Sequence, residues 1–353
     1  MKRILVTGGC GYIGSHTALS LLERGNELII VDSLVNSFPI VIQKIKRILK
    51  LTHPKIRSQI HLVNCDLDDF DSLENVFKQF SKDKPISAVM HFAGLKAVSD
   101  SISFPLSYWN ANVSGTINLL KIMDEFNCRN IVFSSSATIY GSKENRKNLK
   151  EGDSKNPLNT YGETKYTIEK ILSSLIQSNK KDWRIAILRY FNPIGAHPSG
   201  IIGESPKNYA TNIMPIITNV ALRKREYLNI FGDNYNTPDG TPIRDYIHVE
   251  DLAEGHIKAL EHLFEGKSNQ LILNLGTGKG NSVLELIHIF EKVNNISIPY
   301  KFASRRSGDI EYSVADNLQA KKLLNWEPNK DIEDMCKDSW NWVSKNPNGY
   351  LNI

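Results

Sequence analysis

The sequence predicts an α/β fold: a doubly wound parallel sheet followed by a smaller C-terminal α/β lobe. Two observations carry that prediction. Short, nearly all-apolar runs (RILVTG, ELIIVD, IHLVNCD, AVMHFAG, NIVFSSSA, RIAILRYFN) alternate with stretches of helical periodicity such as HTALSLLERG and NVSGTINLLKIMDEF. Strands apolar on both sides belong to a parallel sheet buried between helical layers. Near residue 191 the texture then changes, because FNPIGAHPSGIIGESPKN is rich in Pro, Gly and Ser and reads as a long loop. Loops of this length inside a compact protein tend to be functional.

RILVTG opens the chain as a strand, and HTALSLLERG, closed by its glycine, gives the first helix. KIKRILKLTHPKIR (Lys44 to Arg57) places Ile45, Ile48, Leu49 and Leu51 at helical spacing, so its basic residues read as a solvated helix face. It contains no aromatic residue to stack a base. Beyond the long loop come a helix from Ile213 to Lys224, the strand-like LNIFG, a helix from His248 to Leu263 and the run LILNLG. The expected division is 1–190 for a nucleotide-binding domain and 191–353 for a smaller domain, with segments interleaved.

Composition narrows the classes. A chain of 353 residues accommodates one large α/β unit with a smaller partner. The net charge of +5 suits a phosphorylated small molecule and is too weak to imply nucleic acid. The four cysteines are scattered without a metal-like or disulfide-like grouping, which fits a reducing compartment and no metal. MKRILVTGG begins directly as a strand, leaving no room for a signal peptide, and no apolar run is long enough for a membrane span. The expected location is the cytoplasm.

TGGCGYIG (Thr7 to Gly14) follows the first strand and opens the first helix. Gly8, Gly11 and Gly14, with Gly9, satisfy two spacings of the dinucleotide fingerprint, in which bare backbone lets a pyrophosphate approach a helix N-terminus. A glycine turn of this kind can also be purely structural. Asp32 closes the second strand, where a carboxylate can accept ribose hydroxyls. Its charge would repel a 2′-phosphate, so NAD is favoured over NADP, with FAD as the alternative within the class.

TYGETKY places Tyr161 and Lys165 four residues apart on one helix face. Alone the pair reads as an ordinary surface contact. Free tyrosine titrates near pH 10, so a tyrosine base needs nearby positive charge, which an ammonium and a bound pyridinium would both supply. The run Ser134-Ser135-Ser136 ends the fifth strand, where ligands bind, and offers a hydroxyl partner. His91, inside AVMHFAG, and His248, in DYIHV, read as structural histidines.

With TGGCGYIG, HFAGLKAV, FSSSATIYG, YGETK and RYFNPIGAHPSG together, the chain resembles the extended short-chain dehydrogenase/reductases. Within them it is most similar to the UDP-galactose (UDP-glucose) 4-epimerase family, through NIMP, GTPIRDYIHVEDLA, NLGTG, NSVLEL and RRSGD. The resemblance implies that Tyr161 is the acid/base, that Lys165 lowers its pKa and holds the nicotinamide ribose, and that Ser136 bonds the sugar hydroxyl. It implies a retained NAD, contacted by Tyr12 and Ile13, by Asp32, Asn36 and Ser37, and by Asp66 and Leu67. Phe92, Ala93, Gly94, Leu95 and Lys96 of FAGLK complete these contacts, together with Asn112. The family commonly has two adjacent asparagines where this chain has Ala111-Asn112, which removes a side-chain contact at 111. For a UDP-hexose the resemblance implicates Ser136, Asn192, Asn212, Ile213, Phe231, Arg244, Arg306, Asp309 and Ser313. Two arginines can grip a pyrophosphate in fork geometry and a carboxylate can take ribose hydroxyls. The resemblance also places Ser313 at the border of the hexose pocket, where in the family a tyrosine restricts it and a small side chain leaves room for a 2-acetamido group, so UDP-GlcNAc and UDP-GalNAc are candidate substrates. A homodimer through 112–126 and 161–176 is also implied.

Rival activities have their own signatures. A nucleotide-sugar 4,6-dehydratase resembling this family carries Asp-Glu where this chain has Ala137-Thr138, and a methyl and a hydroxyl cannot perform the elimination. A 4-epimerase of UDP-glucuronic acid, an NADH-releasing dehydrogenase and a non-catalytic NAD sensor remain as alternatives.

Overall fold

The computed structural model describes residues 1–56, 59–142, 147–178, 182–207, 212–306 and 308–351. Arg57 and Asn208, which end the basic stretch and the long loop, lie outside the described residues, as do Thr211 and Ser307 of the NIMP and RRSGD regions.

The main sheet contains β1 (Arg3–Thr7), β2 (Glu27–Asp32), β3 (Ile60–Asn64), β4 (Ala88–His91), β5 (Asn130–Ser136) and β6 (Arg184–Tyr190). A seventh strand, β11 (Gln270–Leu275), lies at its edge, giving the order β11-β6-β5-β4-β1-β2-β3. Every pairing is parallel. β1 and β2 are buried at every residue, as runs apolar on both faces require. The order reverses between β1 and β4, so a crevice opens at the carboxyl ends of those strands.

One face packs Ile4, Val6, Leu28 and Ile30 against α1 (Tyr12–Glu23), α2 (Ile40–Thr52) and α9 (Val249–Phe264). The other packs Leu5, Ile29, Val31 and Phe133 against α3 (Phe70–Phe80), α6 (Gly115–Glu125) and α7 (Thr160–Gln177). LILNLG lies in the C-terminal third, yet it forms β11 of this sheet, with α9 packed on the same layer. The stretch before α6 departs from a single helix. It comprises α4 (Val98–Ser103), α5 (Pro105–Tyr108) and a π-helical turn over Trp109–Ser114. Such turns widen a helix and recur at functional sites.

The remaining strands are short. β7 (Asn192–Ile194) pairs with β10 (Tyr246–His248), and β8 (Leu228–Phe231) pairs with β13 (Tyr300–Ala303). β9 (Ile243–Arg244) lies between β12 (Asn281–Ser282) and β14 (Tyr312–Ser313). α8 (Ile213–Ala221), α10 (Val283–Asn294) and α12 (Ile332–Lys345) close a third core around Met214, Ile217, Phe290 and Met335. α11 (Leu318–Leu324) packs on α9 and β11. Among the described residues, no helix is long and apolar enough to cross a membrane.

Candidate active site

Gly8 leaves β1 with φ +67°, and a Cβ there would come within 2.7 Å of the Ala93 nitrogen. A Cβ on Gly14 would collide with the Gly8 carbonyl oxygen. Only bare backbone fits at both positions. Gly11 caps α1 without a side-chain acceptor, and the first turn of α1 carries no acidic residue. Its N-terminus is therefore open to an anion. Asp32, buried at the end of β2, accepts from the Cys10 N–H (2.9 Å), the Leu34 N–H (2.9 Å) and the Ser37 hydroxyl (2.7 Å). These bonds fix the glycine turn to β2 and aim the carboxylate.

From this turn a continuous cleft runs past Asn36, Ser37, Asp66, Leu67 and Phe92 to Lys96, and ends at Tyr161 and Lys165. All of these are residues that the sequence marks for the cofactor. Asn112 does not line the cleft; Ala111 does. The Asn112 carboxamide accepts from the Leu95 N–H (2.8 Å) and donates to the Leu95 carbonyl and the Thr164 hydroxyl. It therefore ties the FAGLK turn to α7. Lys96 pairs with Glu204 at 3.1 Å, and Glu204 also accepts from Asn212 at 3.2 Å. The glycine cradle, the open helix N-terminus and the oriented Asp32 fit a dinucleotide, and the cleft's far end fits its reactive ring beside Tyr161.

α7 starts where the Asn159 side chain accepts from the Gly162 N–H, so Tyr161 and Lys165 occupy its first turns. Both are buried. The Lys165 ammonium donates to the Ser134 carbonyl at 2.9 Å and sits 5.9 Å from the centre of the Tyr161 ring. Burial lowers the Lys165 pKa to about 8, against the field of Glu169. Burial drives Tyr161 well above its ordinary value, although the Ser136 hydroxyl within reach acts in the opposite direction. Burial thus favours the protonated phenol, and the Lys165 ammonium is directed at the Ser134 carbonyl. Tyr190 also lies within reach of Tyr161. Sequence reasoning passed over it. The available signal was strand register, since Tyr190 pairs directly with Ser136 across β5 and β6.

The sugar-nucleotide candidates gather on the short strands. Arg244 and Ser313 are partners across β9 and β14, and Asn192 donates its N–H to the carbonyl of Asp245, next to Arg244. Asp245 accepts from the Thr277 and Gly278 N–H groups and from the Ala315 N–H, which binds the NLGTG loop to this strand. Burial raises its pKa to about 6. The Arg306 guanidinium lies 4.8 Å from the Phe231 ring centre and pairs with Asp309 at 2.8 Å. Arg244 is partly buried and forms no ion pair among the described residues. Asn212 and Ile213 stand at the N-terminus of α8. Ser313 is buried, with 6% exposure.

The two histidines are structural. His91 is bonded at both ring nitrogens, to Thr7 and Thr116, and burial lowers its pKa to about 3. His248 caps α9 and contacts Asp338.

The family model described as the NAD dependent epimerase/dehydratase family matches residues 4–276. The chain belongs to this family. Within the epimerase/dehydratase family it is similar to the UDP-glucose 4-epimerase of Dictyostelium discoideum, with 47% identity covering 99% of this chain and 97% of that protein. It is 49% identical to the bifunctional protein GAL10 of Pachysolen tannophilus over 99% of its own length, and it spans 50% of that protein. A solved UDP-glucose 4-epimerase from Bifidobacterium longum, in complex with NAD+ and UDP, superposes with a TM-score of 0.91. The two are 40% identical, covering 99% of this chain and 100% of that one.

Proposed function

We propose that this chain is an NAD-dependent UDP-glucose 4-epimerase, interconverting UDP-glucose and UDP-galactose. The observation that carries the proposal is a buried tyrosine beside Ser136 and Lys165, at the far end of a cleft that begins in a glycine cradle. When bound, NAD supplies a hydride acceptor that later returns the hydride, and a positive charge that favours phenolate. Tyr161 takes the O4 proton and returns it after the flat 4-keto sugar has turned over. Ser136 bonds O4 and holds it near the phenol. Lys165 contributes the ammonium that offsets phenolate charge and grips the ribose. Ala137-Thr138 leaves no acid for elimination.

Residues 1–190 carry the cofactor, and 191–353 carry most sugar-nucleotide contacts. Arg244 and Arg306 hold the diphosphate, with Asp309 on a ribose. Ser313 leaves space that accommodates UDP-GlcNAc and UDP-GalNAc. The protein works in the cytoplasm as a homodimer through the faces of 112–126 and 161–176; Ile102, Phe104 and Leu106 on the adjoining segment are exposed and apolar.

The test combines mass spectrometry of molecules released from denatured protein with turnover of a UDP-hexose panel. NAD in the released fraction and conversion of UDP-galactose without net NADH absorbance are expected. Net NADH would identify a dehydrogenase instead, and absent UDP-GlcNAc conversion would remove the Ser313 assignment alone.

A further inference from the structure

α7 is tied to the end of β5 at two successive residues. The Lys165 ammonium donates to the Ser134 carbonyl at 2.9 Å, and the Ser135 hydroxyl donates to Glu169 Oε1 at 2.6 Å. Lys165 and Glu169 stand about one turn apart on the same face of α7. The carbonyl that Lys165 grips belongs to the peptide joining Ser134 to Ser135, so the bond to Glu169 also restrains the acceptor of the ammonium. Arg189 pairs with Ser135 across β5 and β6. It clasps Glu169 through Nε at 3.0 and 3.2 Å and through Nη2 at 2.6 Å. Its Nη1 donates to the Tyr140 hydroxyl and the Glu151 carbonyl, both at 2.9 Å.

Lys165 and Ser134 line the cleft, whereas Ser135, Glu169 and Arg189 are buried behind it. A buried ion pair gains little net stability over apolar side chains of the same size, so stability alone does not account for one placed directly behind the cleft's ammonium. Glu169 supports the Lys165 charge against burial. The other titratable groups facing Tyr161 and Lys165 are Tyr108 of α5, Tyr190 of β6 and His91 of β4. Burial keeps all three neutral at physiological pH, so none of them can replace that carboxylate. Asp100 of α4 acts on Tyr108, and Tyr140, Glu151 and Lys155 face the Arg189 end.

We propose that Glu169, held by Ser135 and Arg189, is a positioning residue for the epimerisation, fixing the Lys165 ammonium at the Tyr161 end of the cleft, where the proton step needs a cation beside the phenol. The proposal rests on the UDP-sugar reading above. Ser135, Glu169 and Arg189 meet neither substrate nor cofactor; they act through Lys165.

Two variants separate the bond from the charge. Ser135→Ala removes the hydroxyl and leaves both charges. The double variant Glu169→Gln with Arg189→Met removes both charges together, so no buried ion is left unpaired, and keeps an acceptor for Ser135. Conversion of UDP-galactose is followed from about pH 6 to about pH 9, with kcat expressed per bound NAD. In the double variant kcat at neutral pH should fall about tenfold, and the acid limb should move up by about one pH unit. A phenol deprived of its cation releases its proton at higher pH, so the loss should shrink toward the alkaline end. Ser135→Ala should show the same pattern at about threefold, with KM for UDP-galactose within about twofold of wild type in both. Ser135→Ala, the milder change, decides alone if the double variant does not fold. A purely structural pair would lower the melting temperature and leave the acid limb in place. An unmoved limb therefore overturns the proposal whatever the loss in kcat, and so does kcat at the wild-type level. If wild type itself does not convert UDP-galactose, the UDP-sugar reading falls; an unmoved limb beside an active wild type removes this inference alone.

Discussion

The two halves of the site are built in opposite ways. On the cofactor side the polar groups are already engaged with one another. Asp32 accepts three bonds, Asn112 makes three, and the glycine turn is clamped between β2 and the FAGLK turn. On the sugar-nucleotide side Arg306 pairs with Asp309 while exposed, and Arg244 has no ion pair among the described residues. A site whose donors are fixed in advance pays little reorganisation on binding. That suits a cofactor that stays. A site whose charges are idle or paired with each other gains its best partner only when the ligand arrives, which suits a substrate that comes and goes.

Acid should strain the cofactor half first. His16, His91 and His256 are buried there, with burial lowering their pKa values to about 3, 3 and 4. A histidine lowered in the folded state binds its proton only after unfolding, so its stabilising contribution is complete above pH 6.5 and is lost as pH falls toward 4. Three such groups imply a loss on the order of 6 kcal/mol between pH 6.5 and 5. Urea midpoints at the two pH values measure it, and equal midpoints would remove the histidine argument.

Tyr161→Phe should reduce kcat by about 10²–10⁴-fold while leaving NAD in the released fraction. Turnover near that of wild type would take the proton step away from this residue. Arg244→Ala should raise KM for UDP-galactose by about 10–100-fold without changing NAD content. Loss of NAD in that variant would mean that the two halves are not separable. The smallest effect is expected from Asp32→Asn, which turns an amide donor toward groups that are themselves donors. Its cost is about 1–3 kcal/mol, read as a lower melting temperature and reduced NAD retention.

Much of this was legible in the residues. The strand and helix alternation follows from apolar runs bounded by glycine and serine, and TGGCGYIG announces its own backbone geometry. Tyr161 and Lys165 could be placed on one helix face, since that needs only a period of 3.6. The direction of Lys165 could not be read, because it depends on the Ser134 carbonyl, a long-range contact with no sequence signature. Tyr190 was missed for a related reason, since only the pairing of β5 with β6 sets it opposite Ser136. The assignment of LILNLG to the main sheet required knowing which strand edge remained open.

The three serines of β5 divide their labour by the pleat of the strand. Ser135 turns to Glu169, which is clasped by Arg189, while the Ser134 side chain faces His256 on the opposite layer. Ser136 shares the parity of Ser134 and meets Tyr161 at the strand's end. A one-residue deletion upstream in β5 would therefore exchange the two sets, aiming the Glu169 partner into the crevice and losing the phenol's neighbour. The register of this strand thus decides which serine the phenol meets, and single-residue length variants of β5 would map that dependence directly.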